Sequence, residues 1–165
     1  MPRIAYVNGR YVAHRDAAVH VEDRGYQFAD GVYEVCEVAR GYIIDMKRHL
    51  DRLNRSLGEL SIDWPMHRCA LEIVMRAVVR RNRVRNGLVY LQVTRGVAPR
   101  DHYFPSPGVR PSIVVTAKRL DPDVIATVLR RLVNDGLPVT DFHLRERKLE
   151  DAFIEILGEI EASGV

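Results

Sequence analysis

A proline-rich loop carries two side chains with an evident capacity for chemistry, Arg100 and His102. Because they are two positions apart, both can point the same way if the loop is extended. A guanidinium and an imidazole together would form a trap for a carboxylate or a phosphate, since the planar guanidinium can hold two oxygens at once. The alternative is a solvated loop whose charges have no special role.

Two further polar side chains lie in stretches that are otherwise apolar. Tyr33 lies in a run of β-branched and apolar residues, where its phenol offers one orienting hydrogen bond. Packing is the alternative role of a half-buried strand tyrosine. Arg52 lies beside Leu53 of a predicted helix, so it can emerge at the edge of the core. An exposed helical arginine is the alternative.

Short strands are predicted to position these residues. Apolar residues 4–7 and 11–13 flank the turn signal Asn8-Gly9, which predicts a β-hairpin. A second hairpin is predicted at residues 32–44, with its turn at Arg40-Gly41. Further strands are expected at residues 88–94 and 112–117, and the proline-rich loop between them is expected to be irregular.

Helical spacing marks two stretches of the chain. Residues 46–60 have leucines every three or four positions, which predicts an amphipathic helix. Its buried side is predicted to comprise Leu50, Leu53, Leu57 and Leu60. A second helix is predicted to have Pro65 in its first turn and to end at Asn86-Gly87. Its buried side is predicted to comprise Ala70, Ile73, Val74, Ala77, Val78 and Val79.

The balance of charge changes towards the end of the 165-residue chain. Residues 1–120 carry 20 Lys and Arg against 12 Asp and Glu, whereas residues 121–165 carry 5 against 10. Such a change within a small chain predicts two segments of different character. We expect one domain over residues 1–119 and an acidic helix-strand-helix tail over residues 120–165.

Three blocks of the first segment resemble the class IV (fold-type IV) pyridoxal-phosphate aminotransferases, and specifically the D-amino-acid transaminases. The blocks are residues 23–34 (DRGYQFADGVYE), 49–53 (HLDRL) and 93–102 (VTRGVAPRDH). Their order and spacing make the set more specific than any one block. The resemblance covers residues 1–119 and implies an α+β fold, the small N-terminal domain of that family, with an antiparallel-rich sheet and two helices.

The same resemblance implies roles for single residues. Arg52 matches the arginine that binds the phosphate of pyridoxal phosphate, which a guanidinium suits chemically. Tyr33, Arg100 and His102 match the trap for the substrate α-carboxylate, with Arg100 and His102 supplied by the neighbouring subunit of a homodimer. The Arg-x-His pair favours D-amino acids over branched-chain substrates. The implied reaction moves an amino group from a D-amino acid to a 2-oxo acid.

Transamination also needs an amine that condenses with the cofactor aldehyde and moves the α-proton. The lysines of the chain are Lys47, Lys118 and Lys148. Lys148 lies near the chain position where the family's lysine falls, but the residues around it do not match the family's Asp-Ile-Lys-Ser context. Its alternative is a solvated lysine at the start of a helix, because dense charge keeps an amine wet. We therefore predict a truncated protein that is inactive or impaired on its own.

The tail has a different resemblance. Residues 124–158 are similar to the C-terminal end of ABC-transporter ATP-binding subunits, in which a Leu-Glu-Asp-x-Phe helix recurs. The chain contains no GxxxxGK[ST] phosphate loop, so ATP hydrolysis is not predicted. A second hypothesis is therefore a non-enzymatic interaction module, or a transporter-associated fragment, in which the acidic tail docks a partner.

Other functions are not favoured by the sequence. Cys36 and Cys69 are too few for a disulfide framework and lack zinc-ligand spacing, which suits a reducing cytoplasm. No apolar run reaches the roughly 18 residues of a membrane span, and no export signal is expected. Arginines at positions 76–85 alternate with valines of a helical core face and lack aromatic neighbours, so nucleic-acid binding is not expected. The histidines do not cluster as metal ligands do.

Overall fold

The computed structural model describes residues 3–105 and 108–120, which belong to one compact unit, Met1–Pro122. The strands are β1 (Ile4–Val7), β2 (Arg10–Ala13), β3 (Gly31–Ala39), β4 (Tyr42–Ile43), β5 (Gly87–Thr94) and β6 (Ser112–Arg119). The helices are α1 (Arg24–Phe28), α2 (Met46–Glu59) and α3 (Arg68–Arg81). The predicted elements of the tail, and Lys148, lie outside the described residues.

The strands form one sheet in the order β2-β1-β6-β5-β3-β4, and every pair of neighbours is antiparallel. Both predicted hairpins are confirmed. Each turn has two residues with positive φ, Asn8 and Gly9 at 43° and 96°, and Arg40 and Gly41 at 54° and 87°. This conformation matches the right-handed twist of the strands that the turns connect. The predicted α+β class is confirmed as well.

The core lies between one face of the sheet and the helices α2 and α3. Alternation along β3 and β5 sends every second side chain towards the helices, and the leucines of α2 meet them. The largest fully buried apolar side chains are Leu50, Leu53, Leu57, Leu71, Met75, Leu91, Val38, Val78, Val89, Val93 and Val115. The other face of β3, β5 and β6 carries mostly half-buried and exposed side chains, except at the end next to α1, where Thr94 and Ser112 are buried.

The structure corrects three predictions about the helices. Leu60 is 41% exposed because α2 has ended and Ser61, with φ of 51°, turns the chain away, so that Ile62 enters the core instead. Helix α3 begins at Arg68 rather than Pro65, since the His67 side chain caps it by accepting from Cys69 N. Of its predicted buried side, Val74, Ala77, Val78 and Val79 are buried. Ala70 is exposed and Ile73 is 67% exposed, whereas Leu71 and Met75 are buried.

Candidate functional site

His49 and Arg52 of α2 cluster around the buried carboxylate of Glu34 on β3. Alternation along β3 directs Glu34 towards the helices, where it is 1% exposed. His49 and Arg52 are three residues apart on α2 and therefore share one face of that helix. Arg52 donates from Nε to Glu34 Oε1 and from Nη2 to Oε2, each at 2.7 Å, and His49 Nδ1 lies 2.8 Å from Oε2.

This cluster fixes the position of Arg52. A buried carboxylate is costly unless it is paired and hydrogen-bonded, and Glu34 has both kinds of partner. The Arg52 side chain is 52% exposed, so its guanidinium is held by Glu34 on one side and reaches solvent. Burial and the charge of Glu34 raise the pKa of the nearby Cys36 thiol to about 12, although Arg52 opposes the shift. One signal in the sequence points to Glu34, namely a carboxylate within an apolar strand.

A second cluster fixes the start of the loop that contains Arg100 and His102. Asp30 accepts from Arg24 Nε at 2.8 Å and from Arg95 Nε at 2.7 Å. Burial raises the pKa of Asp30, but hydrogen bonds and charges from Arg95 and Arg24 outweigh it, so the pKa lies below its ordinary value. Arg24 Nη1 also donates to the carbonyls of Asp101 and Tyr103, at 3.0 and 3.3 Å. Arg24 therefore holds the chain on both sides of His102.

The short helix α1 supports this cluster from the end of β5. Asp23 caps the helix by accepting from Gly25 N at 2.9 Å, and it also accepts from the Thr94 hydroxyl at 3.1 Å. A Cβ at Gly25 would collide with the Thr94 side chain, so this approach requires glycine. The sequence predicts no helix here, because five residues are too few to show a period.

Arg100 and His102 meet on one aromatic ring. The Arg100 guanidinium lies 5.2 Å from the centroid of the Phe28 ring, and the His102 ring contacts Phe28 edge-on at 5.7 Å. Their spacing predicts that the two side chains can point the same way, and in the structure both lie against the Phe28 ring. The cation–π contact is a favourable one for arginine.

Tyr33 lies on the opposite face of the sheet from Glu34. It is 59% exposed, and its ring stacks on that of Tyr90 with centroids 5.9 Å apart. Among the described residues, Tyr33 has no hydrogen bond or ring contact with Arg100 or His102. One chain thus brings Arg100 and His102 together, but it does not bring them to Tyr33 within its described part.

One known protein family matches most of the chain. The model for class IV amino-transferases matches residues 31–150, which span β3, α2 and the loop of Arg100 and His102. The chain belongs to the class IV aminotransferases. The match continues past the predicted boundary at residue 120 and includes the position of Lys148. The similarity of residues 124–158 to ABC-transporter subunits is not shown by these comparisons.

Individual class IV aminotransferases are similar to the chain. The D-alanine aminotransferase of Staphylococcus haemolyticus is 40% identical over 116 residues, which are 70% of this chain and 41% of the relative. That of Listeria innocua is 36% identical over 155 residues, 93% of this chain and 52% of the relative. The chain thus spans about half the length of these relatives, or less.

A solved class IV aminotransferase has the same fold. The T.th. branched-chain amino acid aminotransferase, solved with pyridoxamine 5′-phosphate, superposes with a TM-score of 0.66 and 22% identity. The superposition covers 73% of this chain and 41% of that protein.

The described residues were also compared with the requirements of a membrane span, a metal site and a disulfide. No helix in residues 3–105 and 108–120 is long and apolar enough to cross a membrane. In the same part of the chain, no group of three or more His, Cys, Asp and Glu side chains could hold a metal ion. The cysteines are free, with Cys36 buried and Cys69 exposed.

Proposed function

We propose that the chain is a D-amino-acid transaminase-like protein that moves an amino group from a D-amino acid to a 2-oxo acid with pyridoxal phosphate as cofactor. The observation that carries the proposal is Arg52, fixed by the buried Glu34 within the family match. The D-alanine aminotransferases that resemble the chain support the substrate class. The alternative of a non-enzymatic module is not favoured, because the family match covers most of the chain.

Arg52 fits the phosphate end of the cofactor. Its pairing with Glu34 uses the Nε–Nη2 side of the guanidinium, so the side that carries Nη1 is directed away from that carboxylate. A guanidinium in a fixed orientation binds a phosphate without losing side-chain entropy on binding. Pyridoxal phosphate, when bound, supplies the aldehyde that receives the amino group and an electron sink for the α-carbon. Glu34 and His49 act by holding Arg52.

Tyr33, Arg100 and His102 are proposed to bind the α-carboxylate of the substrate. A phenol, a guanidinium and an imidazole can each donate a hydrogen bond to it. As the resemblance implies, we assign Arg100 and His102 to the site of a second copy, and Tyr33 has no hydrogen bond or ring contact with them within the described part of one chain. The protein is therefore proposed to be a homodimer. We also propose a cytoplasmic location, because free cysteines suit a reducing compartment.

Lys148 is the candidate for the amine that the reaction requires. The residues on either side of it, residues 145–151, include five with charged side chains besides Lys148 itself. Charged neighbours keep an amine hydrated, whereas a catalytic lysine requires partial desolvation. The proposal therefore expects cofactor binding through Arg52 together with impaired turnover.

The binding of pyridoxal phosphate to Arg52→Ala tests the proposal. We expect the variant to bind about tenfold or more weakly, because a charge-assisted hydrogen bond contributes roughly 1.5–3 kcal/mol. Arg55→Ala is the matched control, since Arg55 lies on the same helix and pairs only loosely with Glu59, at 3.9 Å. Titration of each variant, followed by the absorbance of the cofactor, measures the dissociation constants.

Two checks guard this result. The double variant Glu34→Gln, Arg52→Gln leaves no unpaired charge buried, so weak binding by this variant cannot be ascribed to a destabilised fold. Pyridoxal, which lacks the phosphate, should bind all variants alike. Equal losses for Arg52→Ala and Arg55→Ala would contradict the assignment of Arg52, and absence of binding by the wild-type chain would contradict the proposed function.

A further inference from the structure

The open face of the sheet beside Tyr33 carries a second polar side chain, Gln92. The register of β3 and β5 sets Tyr33 directly opposite Gln92, and Tyr90 follows two residues away on the same face of β5. Opposite side chains in an antiparallel pair have Cβ atoms about 4.5–5.5 Å apart. A ligand that reaches the Tyr33 hydroxyl on this face therefore lies within reach of Gln92.

Tyr90 fixes the orientation of the Gln92 amide. Its hydroxyl donates to Gln92 Oε1 at 2.8 Å, while its ring stacks on Tyr33 at an interplanar angle of 29°. Burial and the neighbouring Tyr33 raise the pKa of Tyr90, so the phenol stays protonated and remains a donor. With its carbonyl oxygen engaged, the amide presents its NH2 group away from Tyr90.

The NH2 group of Gln92 is available to a ligand. Within the described residues it donates no hydrogen bond, and it is not buried away from solvent. An amide NH2 is a donor without charge, and it suits a carboxylate oxygen but not a cation. The acidic side chain on the same face of β3 is Glu37, four residues from Tyr33 along the strand.

We infer that Gln92 is a further carboxylate-binding residue, whose amide donates to the substrate carboxylate beside the Tyr33 hydroxyl, and that Tyr90 is the positioning residue that orients it. This inference rests on the proposed function and deepens it. A site that donates hydrogen bonds to one substrate group discriminates strongly against an analogue without that group. Gln92 thereby makes binding depend on the carboxylate.

The role of Gln92 is tested in the full chain with two ligands, of which only one carries the substrate carboxylate. One is the reduced adduct N-(5′-phosphopyridoxyl)-D-alanine, which has the carboxylate, and the other is pyridoxamine 5′-phosphate, which lacks it. For Gln92→Leu we expect about a tenfold loss of affinity for the adduct and no change for pyridoxamine 5′-phosphate. Tyr90→Phe should show a smaller loss, again for the adduct alone.

Thr116→Val is the control, because Thr116 lies on β6 opposite Tyr90 and is close in shape to valine. It should leave both affinities unchanged. If Gln92→Leu lowers the affinity for both ligands equally, or for neither, the role of Gln92 is overturned while the proposed function stands. If the wild-type chain binds neither ligand, the proposed function is overturned and this inference with it.

Discussion

Two buried carboxylates, Glu34 and Asp30, fix the arginines on which the candidate site depends. Each is held by two basic side chains, Glu34 by His49 and Arg52, and Asp30 by Arg24 and Arg95. Removing one of these partners leaves the charge of the carboxylate only partly compensated, which costs up to about 3–5 kcal/mol. The arginines consequently have a single preferred orientation.

Asp30 predicts a dependence of stability on pH. Its pKa is lower in the folded chain than the ordinary value of 3.8, so ionised Asp30 stabilises the fold at pH values above that ordinary value. This stabilisation is lost as the pH falls through the lowered pKa. We expect Asp30→Asn to lower the free energy of unfolding by about 3 kcal/mol at pH 7, with the difference from wild type shrinking below about pH 4.

Chemical denaturation at several pH values measures this difference. Asp63→Asn, at an exposed position, should change the free energy of unfolding by less than about 0.5 kcal/mol throughout. A difference between wild type and Asp30→Asn that stays constant down to about pH 2 would disprove the role of this carboxylate.

Helix α1 supports the loop that follows β5 and carries Arg100 and His102. The helix provides the Phe28 ring, and Arg24 donates to two carbonyls of the loop. Arg95 ties the same region to the end of α2 by donating to the carbonyls of Leu60 and Ser61. Side chains thus hold the loop together with an antiparallel bridge between Asp23 and Val97 at its start.

Arg24→Lys should loosen this loop without unfolding the chain. Lysine can still pair with Asp30, but its single ammonium cannot also reach both carbonyls. We expect chymotrypsin to cleave after the exposed Tyr103 about tenfold faster in the variant. Arg15→Lys, at a side chain 82% exposed, is the control and should match the wild type. Unchanged cleavage of Arg24→Lys would rule out Arg24 as the anchor.

The elements that the sequence predicts well have local signals. The Asn8-Gly9 turn is encoded by adjacent residues, as is the leucine spacing of α2. The predicted face of α3 is right at four of its six positions and wrong at Ala70 and Ile73, because which apolar residues are buried depends on the sheet against which the helix packs. The roles of Glu34 and Arg24 depend on partners across elements or far along the chain, such as Asp101, which is 77 residues from Arg24. Arg52 and Tyr33 are identified through resemblance rather than through their own spacing.

The described unit contains the residues proposed to bind the cofactor phosphate and the substrate carboxylate, whereas Lys148 lies outside it. The family match nevertheless continues through residue 150. The predicted division into residues 1–119 and an acidic tail stays a prediction, as does the homodimer. The proposed contact between Arg52 and the cofactor phosphate involves residues of the described unit alone.

A crystal structure of the full chain grown with pyridoxamine 5′-phosphate tests the role of Arg52 most directly. We predict a phosphate oxygen about 2.8 Å from a guanidinium nitrogen of Arg52, with the pairing of Arg52 to Glu34 retained. A phosphate bound away from Arg52, with that arginine still paired to Glu34, would contradict the assignment of this site.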